Sequence, residues 1–305
     1  MTEPRRLTRF ERGDLVFDVV DSGPIDGDTV VLLHGFPQTS ASWDAVRALL
    51  NERGYRTVAP DQRGYSPGAR PAAPQDYRMS ELVRDTIALI DALDVPDVHL
   101  VGHDWGAAVA WATAIGAPTR VRTLTVLSVP HPAAFLRSMV RSAQLLRSSY
   151  MFLFQVPRLP EWLFRLPGAA VRVLRSSGLS ARAAQRDAAL LLDPNAATAA
   201  LNWYRAMSPI RRPRRSRKPD QNRHSRDSRN GGKPSSRVTV PTAYLWSDKD
   251  IALGRKGAEL TSRYVTGPYE FRVLPGVSHW IPDEAPEIVA EVVDQQAAAH
   301  PPAAS

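Results

Sequence analysis

The chain changes periodicity several times, and each change predicts an element. From Leu7 to Val20, apolar and polar positions alternate on either side of Arg12-Gly13-Asp14, which predicts a hairpin with strands at 7–10 and 14–20. Thr29-Val30-Val31-Leu32-Leu33 shows no alternation, the mark of a strand buried on both faces. Ser40 to Asn51 switches to helical spacing, with Trp43, Val46, Leu49 and Leu50 on one stripe and Ser40 or Ser42 placed to cap it. Tyr55 to Ala59 reads as a short strand, and Ser80 to Leu93 as an amphipathic helix built on Leu82, Ile87, Ile90 and Leu93 with Ser80 as its N-cap. Two further strands, Val98-His99-Leu100-Val101 and residues 121–129, bracket the small-residue stretch Ala107 to Ala114. Strands that alternate with helices require right-handed crossovers, so a mostly parallel sheet with helices on both faces is expected.

After Pro130-His131-Pro132 the β pattern vanishes for about a hundred residues, replaced by helix-like segments that prolines and glycines separate. Sheet character returns at Val238 to Trp246 and again at Tyr269 to Leu274, with a last helix over Glu284 to Gln296. The predicted organisation is a core formed by 1–129 and 238–296, a helical lid inserted at 130–237, and a disordered Ala/Pro tail at 297–305. A lid in that place covers the C-terminal strand edge, where open α/β sheets bind ligands.

With 305 residues, 43% of them hydrophobic, the chain can bury the core of one large domain with an inserted lid. It has no cysteine, which removes disulfides and thiolate metal sites and suits a cytoplasmic protein. Met1 to Arg6 leads into alternating residues rather than an apolar targeting segment, and apolar runs stay well short of the roughly 20 residues a membrane span needs, so a soluble protein without a membrane span is expected. The net charge of +8 is local: residues 209–234 hold ten Lys and Arg and two Asp, and what remains of the 39 basic and 31 acidic residues is 29 of each. Residues 211–237 contain no Ala, Val, Ile, Leu, Met, Phe, Trp or Tyr, so the loop at 209–237 is expected to be disordered. No aromatic residue is interleaved with its arginines for base stacking, so no nucleic-acid partner is expected. Its abrupt edges suggest an insertion or a locally altered reading frame.

The chemistry centres on Gly102-His103-Asp104-Trp105-Gly106, where a strand ends and a helix begins with almost no chain between them. Such a turn has the form of the nucleophile elbow G-x-S-x-G, with aspartate in place of serine. A carboxylate is anionic at neutral pH and can attack an alkyl carbon directly, leaving an ester on the enzyme. Hydrolysis of that ester needs a base and an acid to orient it; the order nucleophile, acid, histidine selects Asp250 and His279, with Asp248 in the same loop as the alternative acid. The oxyanion formed on Asp104 needs backbone donors, expected from Trp105 and from Phe36 in His34-Gly35-Phe36-Pro37, where Pro37 fixes the loop through a cis peptide. Phe36 and Trp105 are also expected to line the substrate pocket. His34 and His103 are expected to be structural hydrogen-bonders of their turns, His99 a core residue and His131 a tether at the start of the lid. No metal-ligand spacing or phosphate-cradling motif is present, so no metal or cofactor is expected.

His34-Gly35-Phe36-Pro37, Asp61-Gln62-Arg63-Gly64-Tyr65-Ser66, Gly102 to Gly106, Val129-Pro130-His131-Pro132 and Gly276-Val277-Ser278-His279-Trp280 together resemble the α/β-hydrolase-fold epoxide hydrolases. The resemblance extends over the chain outside 209–237 and implies the α/β-hydrolase fold. It also implies two lid tyrosines that bond the epoxide oxygen, which fall on Tyr150 in Ser149-Tyr150-Met151 and Tyr204 in Trp203-Tyr204-Arg205. The implied reaction opens a small apolar epoxide with water to a vicinal diol. Two other readings share the scaffold: a haloalkane or haloacetate dehalogenase using the same aspartate, and a non-catalytic binding protein.

Overall fold

The computed structural model describes residues 5–140, 142, 144–207 and 236–302. Eight strands form one sheet in the order β1-β2-β4-β3-β5-β6-β7-β8, with β1 at Arg9–Arg12, β2 at Leu15–Ser22, β3 at Thr29–Leu33 and β4 at Arg56–Pro60. The remaining strands are β5 at Val98–His103, β6 at Val121–Leu127, β7 at Thr242–Ser247 and β8 at Tyr269–Leu274. The hairpin β1–β2 and the pair β2–β4 are antiparallel, while every pair from β4 to β8 is parallel.

The missing alternation in the central strands has a direct cause. Val31 and Leu33 face a core with Leu89 and Ile90 of α2 (Met79–Ala92) and Val109 and Trp111 of α3 (Trp105–Gly116). Val30 and Leu32 face the opposite core, with Val46 and Leu50 of α1 (Asp44–Glu52) and Val289 and Val293 of α13 (Pro286–Ala299). Side chains that point to opposite faces are therefore all buried.

Several boundaries differ from the sequence expectation. Thr39 caps a 3₁₀ turn over Ser40–Trp43 that precedes α1, so neither Ser40 nor Ser42 is the cap. Arg78 occupies the N-cap of α2 and places Ser80 inside the helix. β6 stops at Leu127 because Ser128 turns the chain at a φ of 67°. β7 starts at Thr242 rather than Val238: Pro241 has no N–H for the ladder, and Val238 makes only an isolated bridge to Val265. The last helix continues to Ala299 with Ala297 buried, three residues into the expected tail. Apart from Ser236 and Arg237, the basic loop lies outside the described residues, as do 303–305.

Between β6 and β7 the described chain is helical: α4 (Pro132–Met139), α5 (Gln144–Arg147), α6 (Tyr150–Gln155), α7 (Leu159–Phe164), α8 (Ala169–Ser176), α9 (Ala181–Leu192) and α10 (Pro194–Arg205). This insertion has its own core of Phe154, Phe164, Leu174, Leu191 and Leu201, joined by Trp280 from the loop after β8. A buried ion pair closes it internally, Arg205 donating to Glu161 at 2.8 Å. α11 (Arg255–Leu260) and α12 (Ile281–Glu284) complete the helices.

Candidate active site

Asp104 sits between the last residue of β5 and the first of α3, with φ 51° and ψ −120°. A non-glycine residue at positive φ is strained, and the tight approach around it explains why the strain persists. A Cβ on Gly106 would lie 2.0 Å from the Leu33 carbonyl oxygen, and one on Gly35 would lie 2.3 Å from Asp104 Cβ. Only glycine lets the elbow, β3 and the loop after β3 come this close.

Asp104 Oδ1 accepts a 2.8 Å hydrogen bond from the Phe36 N–H, and Oδ2 lies 3.5 Å from His279 Nε2. On the other side of the imidazole, Nδ1 is 2.8 Å from Asp250 Oδ2. Asp250 Oδ1 accepts from the N–H groups of Ala252 and Leu253 at 2.8 Å each, so this carboxylate is fixed by its own loop. Asp248 faces solvent and accepts from the Gly276 N–H. The two aspartates thus have different partners, and Asp250 is the one against His279. The Trp105 N–H follows directly at the first turn of α3, where helical N–H groups have no intrahelical acceptor. The Phe36–Pro37 peptide is cis.

Burial opposes the charge on Asp104, but His279, His103 and the Phe36 N–H together hold its pKa below the ordinary carboxylate value. Burial opposes the imidazolium of His279 too, yet Asp250 and Asp104 outweigh it and raise its pKa to about 10. His103 is pushed down to about 4, by burial first and by His279 second.

Tyr150 and Tyr204 reach this cluster from the insertion. Tyr204 is buried, with its ring 5.3 Å from Phe36, 4.9 Å from Phe154 and 5.1 Å from Trp105, each pair edge-on. The Tyr150 ring is partly exposed and lies 6.2 Å from that of Tyr204. Burial raises the pKa of both phenols, and the negative charge of Asp104 raises it further, so both keep their protons. A cavity of about 510 Å³ is lined by Asp104, His279, Tyr150, Tyr204 and Phe36 together with apolar residues of α6 to α8. Trp105, expected to line it, is not among the lining residues; its half-buried ring lies edge-on to Tyr204 at 5.1 Å and to Trp203 at 5.5 Å, with a side-chain hydrogen bond to Tyr204.

Positions that the sequence did not single out hold the site in place. The carbonyl of His279 accepts from Ser128 Oγ at 2.8 Å and lies 2.9 Å from His103 Nε2, while Gln38 meets the other nitrogen of His103 at 3.0 Å. Gln38 also donates to Asp283 at 2.8 Å, and Arg186 bridges Asp283 to Asp187, so α9 is tied to the short helix α12 that directly follows the His279 loop. Gln38 adjoins the Phe36-Pro37 motif, the one hint of its role in the chain; Ser128 meets His279 across 151 positions, and Asp283 meets Arg186 across 97 and Gln38 across 245. His34 accepts from the Gln62 N–H, His99 lies in the core against Thr123 and Asp28, and His131 caps α4 by accepting from Ala133 N–H.

A doubly covered, mostly parallel sheet with an elbow after its fifth strand defines an α/β hydrolase, and a family model described as alpha/beta hydrolase fold matches residues 28–286. Epoxide hydrolase 4 of Mus musculus is 30% identical over 297 residues, covering 92% of this chain and 76% of the relative. AB hydrolase superfamily protein YfhM of Bacillus subtilis is 34% identical over 287 residues, 92% of this chain and 93% of its own. Among solved structures, one of novel epoxide hydrolases from metagenomes of hot environments superposes with a TM-score of 0.78 at 28% identity, covering 96% of this chain and 98% of that one. The epoxide hydrolase VrEH1 of Vigna radiata gives a TM-score of 0.74 at 25% identity, with 95% and 96% covered. The chain belongs to the epoxide hydrolase family of α/β-fold hydrolases.

Proposed function

We propose that the protein opens an epoxide to a vicinal diol through an ester on Asp104. The observation that carries this reading is the placement of two protonated phenols, Tyr150 and Tyr204, on the cavity that Asp104 also lines. An epoxide oxygen leaves carbon readily only when a donor neutralises its developing charge, which a phenol does without being ionised at neutral pH.

The steps follow from the hydrogen bonds. Asp104 Oδ1 is tied to the Phe36 N–H, which leaves Oδ2 to attack an oxirane carbon. The new Oδ2–carbon bond forms as the carbon–oxygen bond of the ring breaks, and a tyrosine proton passes to the alkoxide. Ester formation removes one of the two charges that hold the proton on His279, so its pKa falls and that proton passes to the tyrosinate, leaving a neutral base. Neutral His279, oriented by Asp250, then takes a proton from water, whose oxygen attacks Asp104 Cγ. The oxyanion develops on Oδ1, which already accepts from Phe36, with the Trp105 N–H as second donor. Cleavage of the Cγ–Oδ2 bond, with the leaving oxygen taking the proton from His279, releases the diol, and the new carboxyl group gives its remaining proton back to His279, which restores the carboxylate and the imidazolium. The helical insertion acts as the lid over this chemistry, and the apolar cavity walls favour an apolar substrate.

Replacing His279 with Gln should block the second step while leaving the first. Exposure to an epoxide is then expected to add one substrate mass to the peptide containing Asp104. An unmodified Asp104 across a broad panel of epoxides would refute the reading, and an adduct from a haloalkane alone would establish dehalogenation instead.

A further inference from the structure

The outer surface of the insertion is not used by this chemistry. Twelve of the sixteen large apolar side chains exposed among the described residues lie between Leu136 and Val173. Leu146 is 77% exposed, Phe152 64%, Trp162 57% and Val173 55%. An apolar concentration of this kind marks a contact surface, because scattered exposed residues would be spread over the whole molecule.

Its charge is as one-sided as its polarity. Residues 136–175 contain seven arginines and one carboxylate, Glu161, which is buried against Arg205. Arg137, Arg147, Arg158, Arg165, Arg172 and Arg175 are exposed, and none forms an ion pair within the described residues. The arginines alternate along α4 to α8 with the exposed apolar residues, so long cationic stems flank apolar tips throughout. A second copy of this chain would set unpaired arginines against unpaired arginines, which opposes self-association through this face. A surface of phosphates above acyl chains satisfies both features at once: guanidinium groups reach the headgroups while Leu, Phe and Trp enter the boundary beneath.

The cavity opens on the same side. Tyr150, Leu153, Leu166, Val173 and Ile251 are exposed and also line the cavity that Asp104 and His279 share. None of the described helices is long and apolar enough to cross a membrane, so the contact is one of lying on the surface.

We propose that the face built by α5 to α8 docks on an anionic lipid bilayer, with Leu146, Phe152 and Trp162 entering the headgroup boundary and the cavity mouth turned toward the lipid. The inference is testable apart from the catalytic reading, since Leu146, Phe152, Trp162, Arg165 and Arg172 lie outside the Asp104 cluster and do not line its cavity.

Vesicle sedimentation of the full chain tests it, with phosphatidylcholine vesicles that contain or lack phosphatidylglycerol. The protein should sediment with the anionic vesicles and not with the neutral ones. The variant L146S/F152S/W162S, whose positions are exposed and whose thermal midpoint should match wild type, should partition about tenfold less or weaker still. R165Q/R172Q should weaken binding by about fivefold per arginine and flatten its salt dependence. Blue-shifted tryptophan emission on the vesicles should be lost in W162F. The basic segment 211–235 is intact in every variant. Undiminished binding of the triple serine variant would therefore assign the attraction to other charges and overturn the proposal. So would failure of the wild type to bind anionic vesicles, or a wild-type dimer that the same variant renders monomeric.

Discussion

His279 has a carboxylate on either side, at 2.8 Å and 3.5 Å, and its role depends on how many of them are charged. Its pKa of about 10 exceeds the roughly 6.5 of an unfolded imidazole, so the protonated ring contributes stability in full below pH about 6.5 and loses it as the pH rises through 10. Asp104→Asn removes one carboxylate and lowers the His279 pKa. Urea midpoints between pH 6 and pH 10 should therefore fall more for wild type than for Asp104→Asn; parallel curves would show that the two side chains are not coupled. The same substitution should reduce turnover by about 10⁴-fold or more, because an amide is a poor nucleophile. For the phenols, Tyr204→Phe and Tyr150→Phe should each slow ester formation by about 10²-fold, and the double variant should slow it further, when adduct formation is timed in the His279→Gln background. Equal rates in all of them would remove the tyrosines from ring opening.

At the level of elements, the site is a meeting of loops that the sheet alone does not position. The loop after β4 supplies the Arg63 carbonyl to Trp203 Nε1 at 2.8 Å, and Arg63 is itself held by Asp85 of α2 through two 2.7 Å bonds. That chain of contacts fixes α10, and with it Tyr204, against the core. A second tie joins α9 to α12, where Arg186 lies between Asp187 and Asp283. Burial pushes Asp283 up to about 6 against the pull of Arg186, with Asp187 adding to the rise. Arg186→Met leaves two buried carboxylates without a counter-charge and should cost about 3 kcal/mol of stability at neutral pH. Because protonation of Asp283 relieves the repulsion, and losing Arg186 raises its pKa further, the loss should shrink as the pH falls toward about 6 and be smallest below it, as denaturant titrations at pH 5 and pH 8 would show. The elbow gives a steric counterpart: Gly106→Ala must displace β3 or α3, since its Cβ would fall 2.0 Å from a backbone oxygen, and activity should be lost before helical content is.

For the whole molecule, the net charge of +8 and the enzyme are separable. The positive excess lies in 209–234, whereas Tyr204 is placed by packing within α10 and by the Arg205–Glu161 pair. Replacing 211–235 with a Gly/Ser linker of equal length should change stability by less than about 1 kcal/mol and leave turnover of a water-soluble epoxide within a few fold. A large loss of turnover would show that the segment takes part in placing the lid.

Much of the architecture was legible because periodicity reports burial. The unbroken run Val30 to Leu33, the stripe of α2 and the glycine-flanked Asp104 each state a local requirement that the fold then meets. Ends of elements were less legible: Ser40 and Ser80 have the chemistry of caps, but Thr39 and Arg78 occupy the cap positions, and Trp105 packs edge-on against Tyr204 without joining the cavity lining. These outcomes depend on which neighbour packs against a residue, which no local pattern contains. In sum, local spacing determined the order of strands and helices, the elbow and the residue types able to react. Only tertiary structure decided that Asp250 rather than Asp248 meets His279 and that Gln38, Ser128 and His103 brace it, because those facts arise from distances between segments far apart along the chain.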